Sequence, residues 1–424
     1  MGPSGCGKTT LLNVLSGYLT SEKITGTLKV REARKQSYIL QEEGLHSLLT
    51  VKESMMFSMH LKIGSGLSII DKKAKVKKIL SELGLEQRME AFVGSLSGGQ
   101  QRRLSIAIEL VDDPSVLFLD EPTTGLDSSS STQCIQLLRK LVREGKTVVC
   151  TIHTPSALLF KMFDHLYVMA NGRCIYQGNS DNVVKFLCTI DLKCPASYNP
   201  SDFLMEIANG DYGPNNDRLT EKIKNGAIES YRNVTKKLST DEFALELQPT
   251  SIPSNSFLNQ LRYLLARNFL ILYRDKTIMW LRLTVHVSVS LLVGLVFQGY
   301  GNNASKIFGL FKLIYALSLF LMYTGFYSMF TKFALDAPKA KREHFNRWYS
   351  TPAYYIAMTL TDIPLTIACA FLTVANVYKL SEMATEEFRF TTLFLIQLLL
   401  SFVAQGFGMM IGSLFTLMVS TLTQ

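Results

Sequence analysis

Beyond Arg282 the chain almost runs out of charge, and this restricts what it can fold into. Leu283 to Ser305 contains no Asp, Glu, Lys or Arg, and neither does Leu313 to Thr331 or the whole stretch from Phe390 to Gln424. Ile363 to Tyr378 is shorter, but Tyr354 to Thr361 extends it across Asp362. Each of these four stretches is long enough to cross roughly 30 Å of hydrocarbon. Segments in that solvent must satisfy their own backbone hydrogen bonds, so an all-α membrane domain of about four helices is expected.

Loop charge orients the spans. Lys332, Lys339, Lys341, Arg342 and Arg347 crowd the segment Lys332–Arg347, whereas Gly299–Phe308 has only Lys306 and Lys379–Arg389 is acidic on balance. The positive-inside rule puts Lys332–Arg347 in the cytoplasm and the other two segments outside. The N-terminus of the first span then also lies inside. Ahead of it, Phe257 to Arg274 mixes apolar residues with Arg262, Arg267 and Arg274 and reads as an interfacial amphipathic helix. Arg282 and Asp362 sit near the expected cytoplasmic ends and read as snorkelling side chains. His286 is expected to bond a neighbouring helix. Phe320, Tyr323, Phe326 and Phe330 recur at helical spacing and read as packing or lipid-facing residues, with stacking on a flat apolar ligand as the alternative.

The first half is a different solvent regime. Its 424-residue parent chain has 19% charged residues, 47% hydrophobic residues and a net charge of +9. That balance excludes a disordered chain, a collagen and a small disulfide-stapled domain. No nucleic-acid recognition motif accompanies the basic excess, so nucleic acid is not an expected partner. The seven cysteines have no zinc-site spacing and read as reduced thiols. No signal peptide is expected ahead of Met1.

Gly2-Pro3-Ser4-Gly5-Cys6-Gly7-Lys8-Thr9-Thr10 is a GxxxxGK[ST] loop followed by an apolar helical run. Such a loop curls backbone N–H groups around phosphate oxygens, at the positive end of the next helix. Gly2, Ser4, Gly5, Gly7, Lys8, Thr9 and Thr10 are therefore the expected nucleotide contacts, with Lys8 on the β- and γ-phosphates and Thr9 on Mg²⁺. Leu96-Ser97-Gly98-Gly99-Gln100-Gln101-Arg102-Arg103 precedes a helical stretch from Leu104 to Leu110. Val116 to Leu119 reads as a buried parallel strand presenting Asp120 and Glu121 at its C-terminal end. Asp120 suits water-mediated Mg²⁺ coordination, and Glu121 suits the general base that polarises an attacking water. Thr147 to Ile152 reads as a second buried strand, ending at His153, which can reach a γ-phosphate. The basic run Lys72, Lys73, Lys75, Lys77 and Lys78 reads as a solvated helix face.

Together these pieces resemble the nucleotide-binding domain of ATP-binding cassette (ABC) proteins. The resemblance implies an α/β P-loop NTPase fold with a helical subdomain at about Thr50 to Ser95. It makes Gln41, in Tyr38-Ile39-Leu40-Gln41-Glu42-Glu43, a sensor of Mg²⁺ and of the membrane domain. It makes Ser97, Gly98 and Gly99 the signature loop, Asp127 the D-loop residue and His153 the switch histidine. The signature loop of one subunit seals ATP on the other, so a chain with one set of motifs must dimerise, with itself or with another half-transporter.

ATPase first and membrane domain second resembles the G subfamily of White-type half-transporters. So do His153-Thr154-Pro155-Ser156-Ala157, Asn199-Pro200-Ser201-Asp202-Phe203-Leu204-Met205-Glu206 and Arg342-Glu343-His344-Phe345-Asn346-Arg347-Trp348-Tyr349-Ser350. Ile207 to Gly213 and Gly301 to Ala304 resemble its sterol-exporting branch. The implied organisation is a nucleotide-binding domain at 1–208, a polar linker at 209–256, a juxtamembrane connecting helix at 257–277 and a membrane domain at 278–424. The implied function is ATP-driven movement of lipids, sterols above all, across a plasma or endosomal membrane, with the nucleotide-binding domain cytoplasmic. Measured against the family, the strand before the P-loop, part of the Gly26–Gln41 segment and spans five and six are expected to be missing. Two other readings stay open: a truncated non-catalytic subunit that regulates a full-length partner, and a White-type carrier of pigment precursors.

Overall fold

The computed structural model describes residues 1–19, 24–25, 35–41, 44–195, 197–226, 255–301, 304–384 and 386–422. The 26–34 part of the shortened segment, the 227–254 part of the linker and Asn303, which opens an Asn-Ala-Ser glycosylation sequon expected on the outer side, lie outside the described residues. The chain divides into two units, Met1–Ser254 and Asn255–Gln424.

The first unit runs α1 (Lys8–Ser16), β1 (Gln36–Ile39), α2 (Val51–Ile63), α3 (Ile69–Glu82), α4 (Gly98–Glu109), β2 (Val116–Leu119), α5 (Ser128–Arg143), β3 (Thr147–Cys150), α6 (Ala157–Phe160), β4 (Leu166–Ala170), β5 (Arg173–Gly178), α7 (Val183–Cys188), α8 (Pro200–Asn209) and α9 (Asn216–Ile223). β1, β2 and β3 form a parallel sheet in that order, with Tyr38, Phe118 and Val149 side by side. β2 takes the middle because Leu117, Phe118 and Leu119 can be buried on both faces. β3 is less buried than its apolar run predicts: Thr147 is exposed and the next three residues are half-buried. β4 and β5 form an antiparallel pair.

Helix starts follow local capping chemistry. Thr50 and Glu53 form a reciprocal capping box on α2, and Ser97 and Gln100 form another on α4. The second box starts α4 at Gly98, six residues earlier than the apolar pattern at Leu104 indicates. Asp127 caps α5 by accepting from the Ser130 N–H at 3.0 Å.

Two regions differ from the sequence reading. Lys72 is not on a solvated face: it is 3% exposed, and its ammonium bonds the Gly64 carbonyl and the His60 ring. Lys73, Lys77 and Lys78 do face solvent. Within the segment read as a linker, α9 buries Leu219 and Ile223 in the same apolar cluster as Val168, Ile175, Phe186 and Phe203. The ordered body therefore continues past residue 208. A short polar helix with two apolar residues four apart gives almost no compositional signal.

The second unit consists of α10 (Phe257–Arg274), α11 (Lys276–Val296), α12 (Ile307–Phe345), α13 (Thr351–Leu380) and α14 (Glu387–Leu422). Among the described residues, α11 to α14 are the four helices long and apolar enough to cross a membrane. α12 is 39 residues long, about 58 Å at helical rise. The expected loop Lys332–Arg347 is thus helical through Phe345, with Pro338 inside the helix among Lys, Ala, Leu and Arg that favour it. Charge had marked the end of the apolar stretch, not the end of the helix.

α11 packs along α13, and α12 along α14. Small residues set the spacing. A Cβ on Gly408 would lie 2.3 Å from the Phe326 carbonyl oxygen, and one on Gly294 would lie 2.7 Å from Leu380. Leu292, Leu295, Phe311, Leu399 and Val403 stand exposed on the outer faces. Phe320 meets His286 edge-on at 5.1 Å, and Phe326 stacks on Phe330 at 5.8 Å. Tyr323 is exposed and stacks on Tyr327.

Polar groups inside this unit are paired across helices. His286 meets Thr373 at 2.9 Å, as expected. Asn376 donates to Ser290 at 2.9 Å, and Gln397 donates to Ser318 at 2.8 Å. Arg282 and Asp362 do not snorkel. The guanidinium donates to both carboxylate oxygens at 2.8 and 3.3 Å, and Thr366 and Gln405 also donate to Asp362, at 3.1 and 2.8 Å. An uncompensated carboxylate is too costly in a low-dielectric bundle, so it recruits donors from α11, α13 and α14.

α10 differs from an interfacial helix in the same way. Arg267 is 3% exposed and donates to both oxygens of Glu343 at 2.9 Å, and the Tyr349 hydroxyl donates to Glu343 at 2.6 Å. Burial alone would lower the Arg267 pKa; Glu343 and Tyr349 more than reverse that. Burial, reinforced by Glu343, holds the Tyr349 hydroxyl protonated well beyond its ordinary range. Gln260 accepts from the Ser350 N–H and hydroxyl at 2.9 and 3.1 Å. These contacts fasten α10 to the turn between α12 and α13.

Two outcomes test this packing. Asp362→Leu should cost about 3–5 kcal/mol, because it strands Arg282. The double variant Arg282→Met/Asp362→Leu should recover more than half of that in thermal unfolding of the detergent-solubilised protein; no recovery would contradict the pairing. Gly408→Leu should abolish the monodisperse folded species in size-exclusion chromatography. Gly406→Leu should not, since a Cβ there meets nothing within 4 Å.

Candidate nucleotide site

The site is assembled at the C-terminal end of β2. Backbone pairing continues one residue past the strand: the Asp120 N–H donates to Ile39, and the Thr151 N–H donates to Leu119, both at 3.0 Å. Residues 41, 120, 121 and 151 therefore emerge from neighbouring strand ends. The loop Gly2–Gly7 turns into α1 beside them. Gly2 sits at φ 153°, and a Cβ there would lie 2.3 Å from the Met169 carbonyl oxygen, so only glycine fits.

Lys8 folds over its own loop, donating to the carbonyls of Gly2 and Pro3 at 2.8 and 2.9 Å. Ser4, Gly5, Thr9 and Thr10 are exposed, Gly7 is half-exposed and Gly2 is buried. The Thr9 hydroxyl donates to Asp120 Oδ1 at 3.1 Å, and the Thr151 hydroxyl reaches the same oxygen at 2.5 Å. The Thr151 oxygen also accepts from the Glu121 N–H at 2.8 Å. Gln41 Nε2 and the Thr124 hydroxyl both donate to Glu121 Oε2, at 3.1 and 2.9 Å. Thr9, Gln41, Asp120 and Glu121, expected from the sequence, thus form one connected constellation.

Glu121 has φ 43°, a left-handed backbone without glycine's freedom. Such a residue costs on the order of 1–3 kcal/mol and persists only when its surroundings over-determine it. Here they do so through Thr151 on its N–H and Arg102 on its carbonyl, the latter at 3.2 Å.

Thr151 and Arg102 are the residues that motif reading missed. Thr151 lay inside the strand expected at Thr147–Ile152 and carried no other signal. Arg102 lies three and four residues before Ser105 and Ile106 on the buried side of α4, and a cation on that stripe was the available clue. It is 2% exposed, and besides Glu121 it donates to the carbonyls of Leu40 and Gln41 at 2.8 and 3.0 Å.

The remaining expected residues lie outside this constellation. Ser97 and Gly98 are exposed at the start of α4. Gly99 is buried, and a Cβ there would lie 2.8 Å from the Ser130 hydroxyl. Asp127 is exposed, and its bonds from Ser130 lower its pKa. His153 is exposed, with Nδ1 2.8 Å from the Thr154 hydroxyl. Among the described residues, no cluster of three or more His, Cys, Asp or Glu could hold a metal. The oxygen donors Thr9 and Asp120 nevertheless suit a hard cation that keeps most of its waters.

Residues 1–124 match the family of ABC transporters, residues 259–423 match ABC-2 type transporters, and a second ABC-2 type family matches residues 153–225. ABC transporter G family member 21 of Arabidopsis thaliana is 31% identical, over 98% of this chain and 67% of its own length. Protein white of Drosophila melanogaster is 29% identical, over 97% of this chain and 64% of its own length. The broad substrate specificity ATP-binding cassette transporter ABCG2 of Bos taurus is 27% identical, over 86% of this chain and 61% of its own length. The chain spans about three fifths of the length of the curated relatives it matches. A nucleotide-binding cassette joined to an ABC-2 membrane domain, together with this similarity to member 21, places the chain in the G family of ABC transporters.

Proposed function

We infer that this chain is one subunit of a dimeric transporter that couples ATP hydrolysis to the movement of lipids, sterols above all, across a membrane. The observation that carries the reading is the convergence of Thr9, Gln41, Asp120 and Glu121 at the end of β2. Gly2, Ser4, Gly5, Gly7 and Thr10 would present the loop to the phosphates. Lys8 would leave its two carbonyl acceptors for the β- and γ-oxygens. Thr9 and Gln41 would hold magnesium directly and Asp120 would hold it through water. When bound, the ion neutralises phosphate charge.

Glu121 is the general base of this reading. Its carboxylate is already held by Gln41 and Thr124, so it can orient a water and take its proton at an oxygen of fixed position. His153 would add a hydrogen bond to the γ-phosphate. The exposed Ser97 and Gly98, at the positive end of α4, would close with Gly99 on the nucleotide of the partner subunit, and Asp127 would border that interface. Homodimer and heterodimer are both compatible with one set of motifs per chain.

The basic C-terminal end of α12 supports a cytoplasmic placement for the nucleotide unit. Sterol cargo rests on the resemblance of Ile207–Gly213 and Gly301–Ala304. The bovine relative's broad substrate specificity is a property of that protein and sets the alternative to test. Full-length protein in vesicles, offered sterols and tryptophan-derived pigment precursors, should move the sterols in an ATP-dependent way. Movement of the precursors alone would replace the cargo assignment.

Two substitutions test the chemistry. Glu121→Gln should keep MgATP bound while turnover falls about 100-fold or more; normal phosphate release would exclude Glu121 as the base. Lys8→Ala should weaken nucleotide binding itself by about tenfold or more, as loss of charge-assisted hydrogen bonds does. Chelation of magnesium should stop hydrolysis in the wild-type protein.

A further inference from the structure

Arg102 belongs to the motif string that begins at Leu96, yet no step of the chemistry above uses it. It stands one turn into α4, and its guanidinium is buried away from solvent. Its planar fork of donors reaches three peptide oxygens on two other segments: Leu40 at 2.8 Å, Gln41 at 3.0 Å and Glu121 at 3.2 Å. The two segments are the ones whose side chains meet at Glu121 Oε2. A single side chain on α4 therefore holds the backbones of both Gln41 and Glu121. At Glu121 it holds a backbone in the left-handed region, where small changes of support decide whether the conformation persists.

The neighbouring Arg103 makes a useful contrast. Its donors go to Gly99 on its own helix and to Leu83, at 3.3 and 3.4 Å, and touch neither segment of the site.

We propose that Arg102 is a positioning residue that links the Ser97–Gly99 turn to the geometry of Glu121 in the same subunit. The proposal rests on the reading that this turn closes on the nucleotide of the partner. α4 is one rigid helix, so a shift of its first residues on closing moves Arg102 with it. Arg102 in turn sets where the Glu121 carbonyl and the Gln41 backbone sit. One subunit's general base is thereby informed whether the other subunit's nucleotide is in place. The arrangement needs a forked cation: a lysine ammonium is a point charge and cannot hold three diverging carbonyls in one geometry.

The test uses the full-length dimer, with Arg102→Ala, Arg102→Lys and Arg103→Ala compared with wild type. Affinity is read with a fluorescent ATP analogue in the presence of magnesium, turnover by phosphate release, and folding by the thermal midpoint. Arg102→Ala should leave affinity within about twofold, lower kcat at least tenfold, and bring the Hill coefficient for MgATP down to 1 from a wild-type value above 1. Arg102→Lys should recover folding in full and kcat only in part. Arg103→Ala should leave the Hill coefficient at its wild-type value. A merely structural Arg102 would lower the thermal midpoint and the folded fraction while kcat per nucleotide-binding molecule stayed unchanged, and that result overturns the proposal. So does a wild-type Hill coefficient of 1, or an Arg102→Ala variant with wild-type kcat and cooperativity. Wild-type protein without any MgATP turnover overturns both this assignment and the reading beneath it; turnover in wild type with an indistinguishable Arg102→Ala variant overturns the assignment alone.

Discussion

The Thr151 hydroxyl joins the two adjacent acids of the candidate nucleotide site. It meets Asp120 Oδ1 at 2.5 Å, and its oxygen accepts from the Glu121 N–H at 2.8 Å. It can do both because parallel pairing carries on past the ends of β2 and β3, bringing residue 151 beside residues 120 and 121. Two adjacent carboxylates would otherwise repel each other and wander. Here the first is held toward Thr9 and the second toward Gln41 and Thr124. Strand register, a backbone property, thus turns the two acids toward different partners.

The membrane unit meets the same requirement in a different solvent. Inside a bundle of apolar helices a polar side chain needs a partner, on its own helix or on a neighbouring one. Asp362 draws donors from three helices, and His286, Ser290 and Gln397 each bridge two. Glycines at positions 294, 325, 408 and 412 let the backbones come close enough for these bridges. The outer faces keep Leu, Val and Phe, which lipid can solvate. Stability in this unit therefore rests on close packing and pairing rather than on expulsion of water.

Much of this was readable without coordinates. The loop Gly2–Thr10, the strand ending in Asp120 and Glu121, and the four uncharged stretches each have a local physical signature. The number of spans agrees with the structure. The misreadings share one cause. Lys72, Arg267, Arg282 and Asp362 are charged, and a charged residue read alone is assigned to solvent or to a membrane surface. Lys72, Arg267 and Asp362 are buried and Arg282 half-buried because particular partners meet them: Asp362 for Arg282, 80 residues away, Glu343 for Arg267, 76 residues away, and Gly64 and His60, 8 and 12 residues away, for Lys72. The loop assigned to Lys332–Arg347 failed for a related reason, since charge reports solvent and not secondary structure.

Sequence alone singled out the residues to which the chemistry is assigned here as a proposal, and the stretches long and apolar enough to cross a bilayer as helices. Both follow from short-range properties: glycine's backbone freedom in the loop, the apolar run of β2, and the absence of charge over helix-spanning lengths. The tertiary structure decided which of those residues meet. Thr151 and Arg102 hold Glu121 in a strained backbone, and α12 runs on as helix through its basic end. These depend on distances between segments far apart in the chain, set by strand register and helix packing, and no local pattern encodes them.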